Sequence, residues 1–209
     1  MCEIYITAGK FDVDFLNSRR TIGESGRGFA LIYTKKVVLL RDLDSERVTE
    51  AYLRKPTPIV SIMHLRVPTH GAISVDNTQP FTNGAYIFAH NGALRESYHL
   101  LKAMYPHLRD ASDSRLLWEF LQKLPWEQAI SLLRALGDRF VLANVPQRRI
   151  ALIGNWRWDR RNAVWDRGFL DFRYVLLDYS SGELKIVESE EVARLNPAKG
   201  HCFPPWAMR

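Results

Sequence analysis

What most limits the folds open to this chain is the order in which its apolar patterns change. Over roughly the first 90 residues the pattern is one of short strands. Glu3 to Ala8 alternates around Ile4 and Ile6, and Gly28 to Tyr33 and Val37 to Arg41 flank the polar turn Thr34-Lys35-Lys36 as a hairpin. Ile59 to Leu65 and Tyr86 to Ala89 are apolar runs of buried-strand length. A helical block follows. Leu94 to Tyr105 is stopped by Pro106, and Asp113 to Leu124 sets Leu116, Leu117, Phe120, Leu121 and Leu124 on one face, with Ser112 as its cap. Pro125 ends that helix, and Trp126 to Leu136 makes another that stops at Gly137. Strands return at Arg139 to Ala143, Ile150 to Ile153, Tyr174 to Leu177 and Leu184 to Val187. Strands, then helices, then strands predict an α+β protein of stacked antiparallel sheets covered by helices. A βαβ alternation of the dinucleotide-binding kind is disfavoured.

The 209 residues are room for one domain, and no repeat, low-complexity stretch or Gly/Ser linker divides them. Residues 1–209 therefore read as a single domain, with 196–209, which holds three prolines, as an irregular tail. No apolar run approaches the roughly 20 residues that span a bilayer, so no membrane is expected. The N-terminus lacks the basic and apolar regions of a secretory signal, and cysteines only at 2 and 202 make no disulfide framework. A reducing, cytoplasmic setting follows. The net charge of +6 is spread over scattered pairs such as Arg19-Arg20, Lys35-Lys36 and Arg148-Arg149, which does not point to nucleic acid.

Four separated features carry chemistry. Cys2 would stand at the N-terminus once Met1 is removed, as is usual before a small residue. An α-amine titrates at about 7.7–8.0 and can act as base near neutral pH, while a thiol of pKa about 8.5 is a strong nucleophile. One residue would then hold both groups. The plainer reading is a small hydrophobe starting a strand. His64-Leu65-Arg66-Val67-Pro68-Thr69-His70-Gly71 follows an apolar strand, and Arg66 there can offer a guanidinium fork to a carboxylate or simply end the strand in solvent. Its two histidines, six apart, are a poor metal signal. In Phe88-Ala89-His90-Asn91-Gly92, the Asn91 amide and the Gly92 N–H can form an oxyanion hole, although Asn-Gly is also the commonest tight turn. In Ser112-Asp113-Ser114, Asp113 can hold an ammonium group or complement a helix dipole.

Taken together and in order, these motifs resemble the class II glutamine amidotransferases, whose glutaminase domain is an N-terminal nucleophile hydrolase. The resemblance includes Asn77-Thr78-Gln79-Pro80-Phe81 and covers roughly residues 1 to 180. It implies a four-layer αββα sandwich of two antiparallel sheets. It further implies that Cys2 attacks the side-chain amide of glutamine, giving a γ-glutamyl thioester and ammonia, then glutamate. Asn91 and Gly92 would hold the oxyanion. Arg66, helped by Thr69 and His70, would bind the substrate carboxylate, and Asp113 its α-amine. No cofactor and no metal are implied.

Some positions depart from the family. Val67 stands where several relatives have an aromatic residue, Arg115 where an acid is common, and Asn17 to Gly28 matches only loosely a loop that is mobile in the family. The 29 residues after position 180 cannot form the synthase to which most relatives are fused. A separate synthase subunit is therefore expected as partner, taking the ammonia. The alternatives are a stand-alone γ-glutamyl amide or peptide hydrolase, and a catalytically silent protein that keeps the fold. Trp156-Arg157-Trp158-Asp159-Arg160-Arg161 and Trp165-Asp166-Arg167 suit stacking on bases, a protein interface or, more plainly, cross-strand packing, and Cys202 beside His201 reads as part of the tail.

Overall fold

The computed structural model describes residues 2–19, 25–159, 163–165 and 172–191. Strand β1 (Glu3–Ala8) leads through helix α1 (Val13–Ser18) to the hairpin β2 (Arg27–Ile32) and β3 (Val37–Asp42). Helix α2 (Ser45–Leu53), β4 (Val60–Leu65), a 3-10 turn (Val75–Asn77), β5 (Phe81–Thr82) and β6 (Tyr86–Asn91) follow. Helices α3 (Arg95–Met104), α4 (Asp113–Leu121) and α5 (Trp126–Leu136) precede β7 (Arg139–Asn144), β8 (Arg149–Asp159), β9 (Ala163–Trp165), β10 (Phe172–Asp178) and β11 (Lys185–Glu191).

The strands form two antiparallel sheets. One runs β3-β2-β4-β1-β9 and the other β5-β6-β7-β8-β10-β11. Strand β8 joins them: Arg149–Ile153 pairs with β7, whereas Arg157–Asp159 pairs with β9. Side chains alternate across each strand, so each sheet has two faces to bury. Ile4, Ile6, Ala30, Ile32, Val60 and Ile62 of the first sheet pack against Ile87, Ala89, Val141, Ala143, Ile150 and Leu152 of the second. Small and β-branched residues suit this layer, and each fully buried Ile or Leu contributes about 1.5–3 kcal/mol.

Both outer faces are buried too, which is why the strands read as continuous apolar runs. Phe88, Phe140 and Leu142 pack under Leu116, Leu117, Trp118, Leu121 and Leu133 of α4 and α5. Phe88 and Trp118 stack at 6.2 Å. On the far side, Tyr5, Phe29, Leu31, Met63 and Leu65 meet Leu16 of α1 and Val48 and Tyr52 of α2. Phe29 and Tyr52 stack at 4.2 Å. The order of layers is α, β, β, α.

The αββα expectation therefore holds, but α1 and α2 lie in the stretch that reads as strands alone. Their apolar stripes are too narrow for periodicity to register: α1 buries Leu16, and α2 buries only Val48 and Tyr52. Their real signals are the Asp12 and Asp44 caps, which accept from Phe15 N and from Glu46 N and Arg47 N. Helix α4 begins where expected, with Ser112 Oγ accepting from Arg115 N, but ends at Leu121 rather than Leu124. Trp156 is 1% exposed in the inter-sheet core and donates from Nε1 to Ile153 O, so it is a packing residue and not part of an interface. Met1 and its removal, residues 20–24, Arg160-Arg161, Asp166-Arg167 and the tail with Cys202 lie outside the described residues.

Candidate active site at the strand ends

The proposed site residues sit where strands end. β1 and β4 pair with Glu3 opposite Leu65, and the same register carried one residue further sets Cys2 beside Arg66. The Cys2 thiol donates to Val67 O at 3.1 Å, and Val67 N reaches its Sγ at 3.2 Å. Arg66 is 3% exposed; its Nη2 donates to Ala72 O at 2.9 Å. Its Nη1 is also buried, and has no hydrogen-bond partner among the described residues. Burial pulls the Arg66 guanidinium below its usual range, while the charges of Cys2 and Asp113 pull it back up.

Asp113 is 3% exposed at the start of α4. Its Oδ2 accepts from Leu94 N at 2.9 Å and its Oδ1 from Ser114 N at 2.8 Å. This carboxylate thus ties α4 to the turn that follows β6. His70 Nδ1 stands 3.8 Å from Asp113 Oδ2, and the His70 ring lies 4.6 Å from that of Tyr98. His70 Nδ1 is a second buried polar atom without a hydrogen-bond partner among the described residues. Gly71 has φ +75° and lies so close to the chain before α4 that a Cβ would come within 2.5 Å of Ser112 N. Only glycine suits both demands. Thr69 is exposed on the same loop.

Asn91, 2% exposed, ends β6, and Gly92 follows it. The backbone just before them is clamped. His90 N donates to Gln79 Oε1 at 2.6 Å, and His90 O accepts from Gln79 Nε2 at 3.1 Å and faces His64 Nε2 at 3.2 Å. His64 is wholly buried between the sheets, and burial pushes its pKa down to about 3, so its ring is neutral. Asn77 ties the loop after Arg66 to the start of α4. Its Nδ2 donates to Ala72 O and Asp110 O at 2.9 and 2.8 Å, and its Oδ1 accepts from Ser112 N at 2.8 Å.

The fold thus brings Cys2, Arg66, His70 and Asp113 to one end of the paired sheets, with the Asn91–Leu94 turn bonded to Asp113. A family model for the class II glutamine amidotransferases matches residues 1–165. The chain belongs to that family. Solved amidotransferase structures share the fold. The glutamine phosphoribosylpyrophosphate amidotransferase of B. subtilis, bound to ADP and GMP, has a TM-score of 0.62 at 15% identity, over 91% of this chain and 49% of that one. An allosteric regulatory enzyme of purine biosynthesis scores 0.62 at 16% identity, again over 91% and 49%. A glutamine aminotransferase class-II domain protein from Silicibacter pomeroyi scores 0.56 at 14% identity, over 92% of this chain and 99% of that one. This chain spans about half the length of the first two. No curated protein sequence matches it.

In this member of the family the residues that sequence reasoning passed over are the ones holding the site together. Gln79 and Asn77 belong to a motif that was visible, but their backbone partners were not. Ser114 and Asp138, both beside His90, gave no separate signal. No helix among the described residues is long and apolar enough to cross a membrane. Among the same residues no cluster of three or more His, Cys, Asp and Glu side chains could hold a metal ion.

Proposed function

We propose that this amidotransferase is a cysteine-dependent glutaminase whose ammonia is passed to a synthase partner. The observation that carries the reading is the buried Nη1 of Arg66, without a hydrogen-bond partner among the described residues, on a guanidinium flanked by Cys2 and Asp113. A buried cationic donor left without an acceptor is costly, and the carboxylate of a bound amino acid would supply one. Asp113 retains free lone pairs beyond its two backbone bonds and suits the α-ammonium of the same ligand. Glutamine held by both of its α-substituents would extend its side chain toward Cys2.

With Met1 removed, the α-amine of Cys2 takes the thiol proton, and Sγ attacks the amide carbon. The charge on the amide oxygen falls to Asn91 Nδ2 and the Gly92 N–H, a pair of donors each worth about 3–4 kcal/mol of barrier. The C–N bond breaks, the relayed proton goes to the leaving nitrogen, and ammonia departs from a γ-glutamyl thioester. Water then attacks the thioester, releasing glutamate and restoring the thiol.

The test is an intact mass of the purified protein before and after 6-diazo-5-oxo-norleucine. Loss of Met1 and one adduct on Cys2 are expected. A protein that keeps Met1 and takes no adduct would overturn the reading. Hydrolysis of a larger γ-glutamyl amide in preference to glutamine would move the substrate while keeping the mechanism.

A further inference from the structure

Asp138 has no part in the chemistry above, yet the fold makes room for it on two sides. It lies between the end of α5 and β7. A Cβ on Gly92 would run into its carboxylate, and a Cβ on Gly154 would come within 2.5 Å of its carbonyl oxygen. The β6–β7 register explains the first contact: Asn91 pairs with Arg139, and one step further places Gly92 opposite Asp138. Its Oδ2 stands 3.3 Å from His90 Nε2. His90 is 1% exposed, and its ring stacks on Phe140 at 4.7 Å. On the other edge, His90 Nδ1 lies 2.9 Å from Ser114 Oγ, which reaches Asp113 Oδ1 at 3.3 Å. A continuous polar row therefore runs from Asp138 through His90 and Ser114 to Asp113.

The row has a definite hydrogen-bond logic. An ionised carboxylate only accepts, so the His90 nitrogen facing Asp138 must carry a hydrogen. Without Asp138, a neutral ring is free to move that hydrogen to Nδ1 or to turn over. With the hydrogen on Nε2, Nδ1 accepts the single Ser114 hydroxyl hydrogen, and either change takes that acceptor away. Each also loosens the residue immediately before Asn91 and Gly92.

We propose that Asp138 is a positioning residue of the glutamine site, accepting from His90 Nε2 and so fixing His90 and the turn from Asn91 to Leu94 that follows it, whose Leu94 N donates to Asp113. This rests on the glutaminase reading above. Asp138 acts through His90 and touches no reacting atom.

The experiment compares the full-length wild type with Asp138→Ala and Asp138→Asn. Labelling of Cys2 by 6-diazo-5-oxo-norleucine counts the intact sites, and kcat is expressed per labelled site. KM for glutamine and the ring-nitrogen NMR signals of His90 are measured alongside. In Asp138→Ala, KM is expected to rise and kcat per site to fall, together by about 10- to 100-fold, as displaced catalytic groups do. Asp138→Asn keeps the shape and an accepting carbonyl, so it should stay within about threefold of wild type. Unchanged KM and kcat in Asp138→Ala, with normal labelling, would overturn the proposal and leave the glutaminase reading intact. So would an asparagine variant as impaired as the alanine one. A wild-type His90 ring bearing its only hydrogen on Nδ1 overturns the proposal without any variant, even if Asp138→Ala does not fold. Wild type that neither labels nor turns over glutamine removes the glutaminase reading and this role with it.

Discussion

The Cys2 thiol is bonded in both directions to one residue, donating to Val67 O at 3.1 Å and accepting from Val67 N at 3.2 Å. The two contacts place the sulfur on the chain segment that also carries Arg66, so nucleophile and proposed carboxylate anchor share one support. Replacing Cys2 by Ala should abolish glutamine turnover and labelling. The half-exposed position just before β1 supports little packing, so the melting temperature should stay close to that of wild type. Turnover equal to wild type in the variant would rule out the sulfur as nucleophile.

Arg66→Ala removes the charged donor that the proposed substrate carboxylate would meet. A hydrogen bond to a charged group is worth about 1.5–3 kcal/mol, so KM should rise roughly 10- to 150-fold with a smaller effect on kcat. Steady-state kinetics with glutamine measure this, and an unchanged KM removes the assignment.

Asn91→Ala deletes a proposed oxyanion donor. Turnover should fall by roughly 10²–10³ while KM changes little, because the donor matters most when charge develops on the amide oxygen. A variant that loses KM instead would make Asn91 a ground-state contact.

Asn77→Ala should act on stability and on the site together. It strips partners from Ala72 O, Asp110 O and Ser112 N, and Ala72 O is also the acceptor for Arg66 Nη2. Ala72 O keeps Arg66 Nη2 and Asp110 O keeps Ala72 N, so the main cost is the buried Ser112 N, and a loss of about 1–3 kcal/mol is expected in urea unfolding. KM for glutamine should rise as Arg66 loosens.

His64 supplies a pH dependence of stability. Its pKa falls from 6.5 to about 3 because burial disfavours the charged ring, with the charges of His90 and Arg66 adding to the effect and the hydrogen bond to His90 O opposing it. The unfolded chain therefore binds a proton that the folded chain refuses between about pH 6.5 and 3. Stability is full above that window and drops as the pH falls through it, by up to about 1.4 kcal/mol per pH unit from this group. Urea unfolding of wild type and His64→Gln at pH 7 and pH 5 should show a steeper loss in wild type. Equal slopes would mean that His64 is not held neutral.

Local pattern alone located the elements whose both faces or one clear stripe are apolar. β1, β6 and α5 begin where the apolar runs begin, and Ser112 marks the first turn of α4 through its own side chain. The candidate residues were legible for a related reason. Cys2, Arg66, Asn91 and Asp113 each adjoin the end of a regular element, where a polar residue interrupts an apolar pattern. Helices α1 and α2 were not legible, since one and two buried side chains cannot make a periodic signal. Nor was the passage of β8 from one sheet to the other, because the change of partner at Arg157 is decided by which strands lie alongside.

By itself the sequence determined the α+β class, most strand and helix positions and the ordered set of polar groups at their ends. These follow from periodicity, capping and turn chemistry, which act over a few residues. Only the tertiary structure decided that Arg66 Nη1 and His70 Nδ1 are buried without hydrogen-bond partners among the described residues, and that Asn77 bridges the two loops. It alone revealed Asp138 against His90, 48 residues away in the chain. Such contacts depend on sheet register and on the close approach that glycines at 92 and 154 allow, and neither quantity is written in any local stretch of sequence.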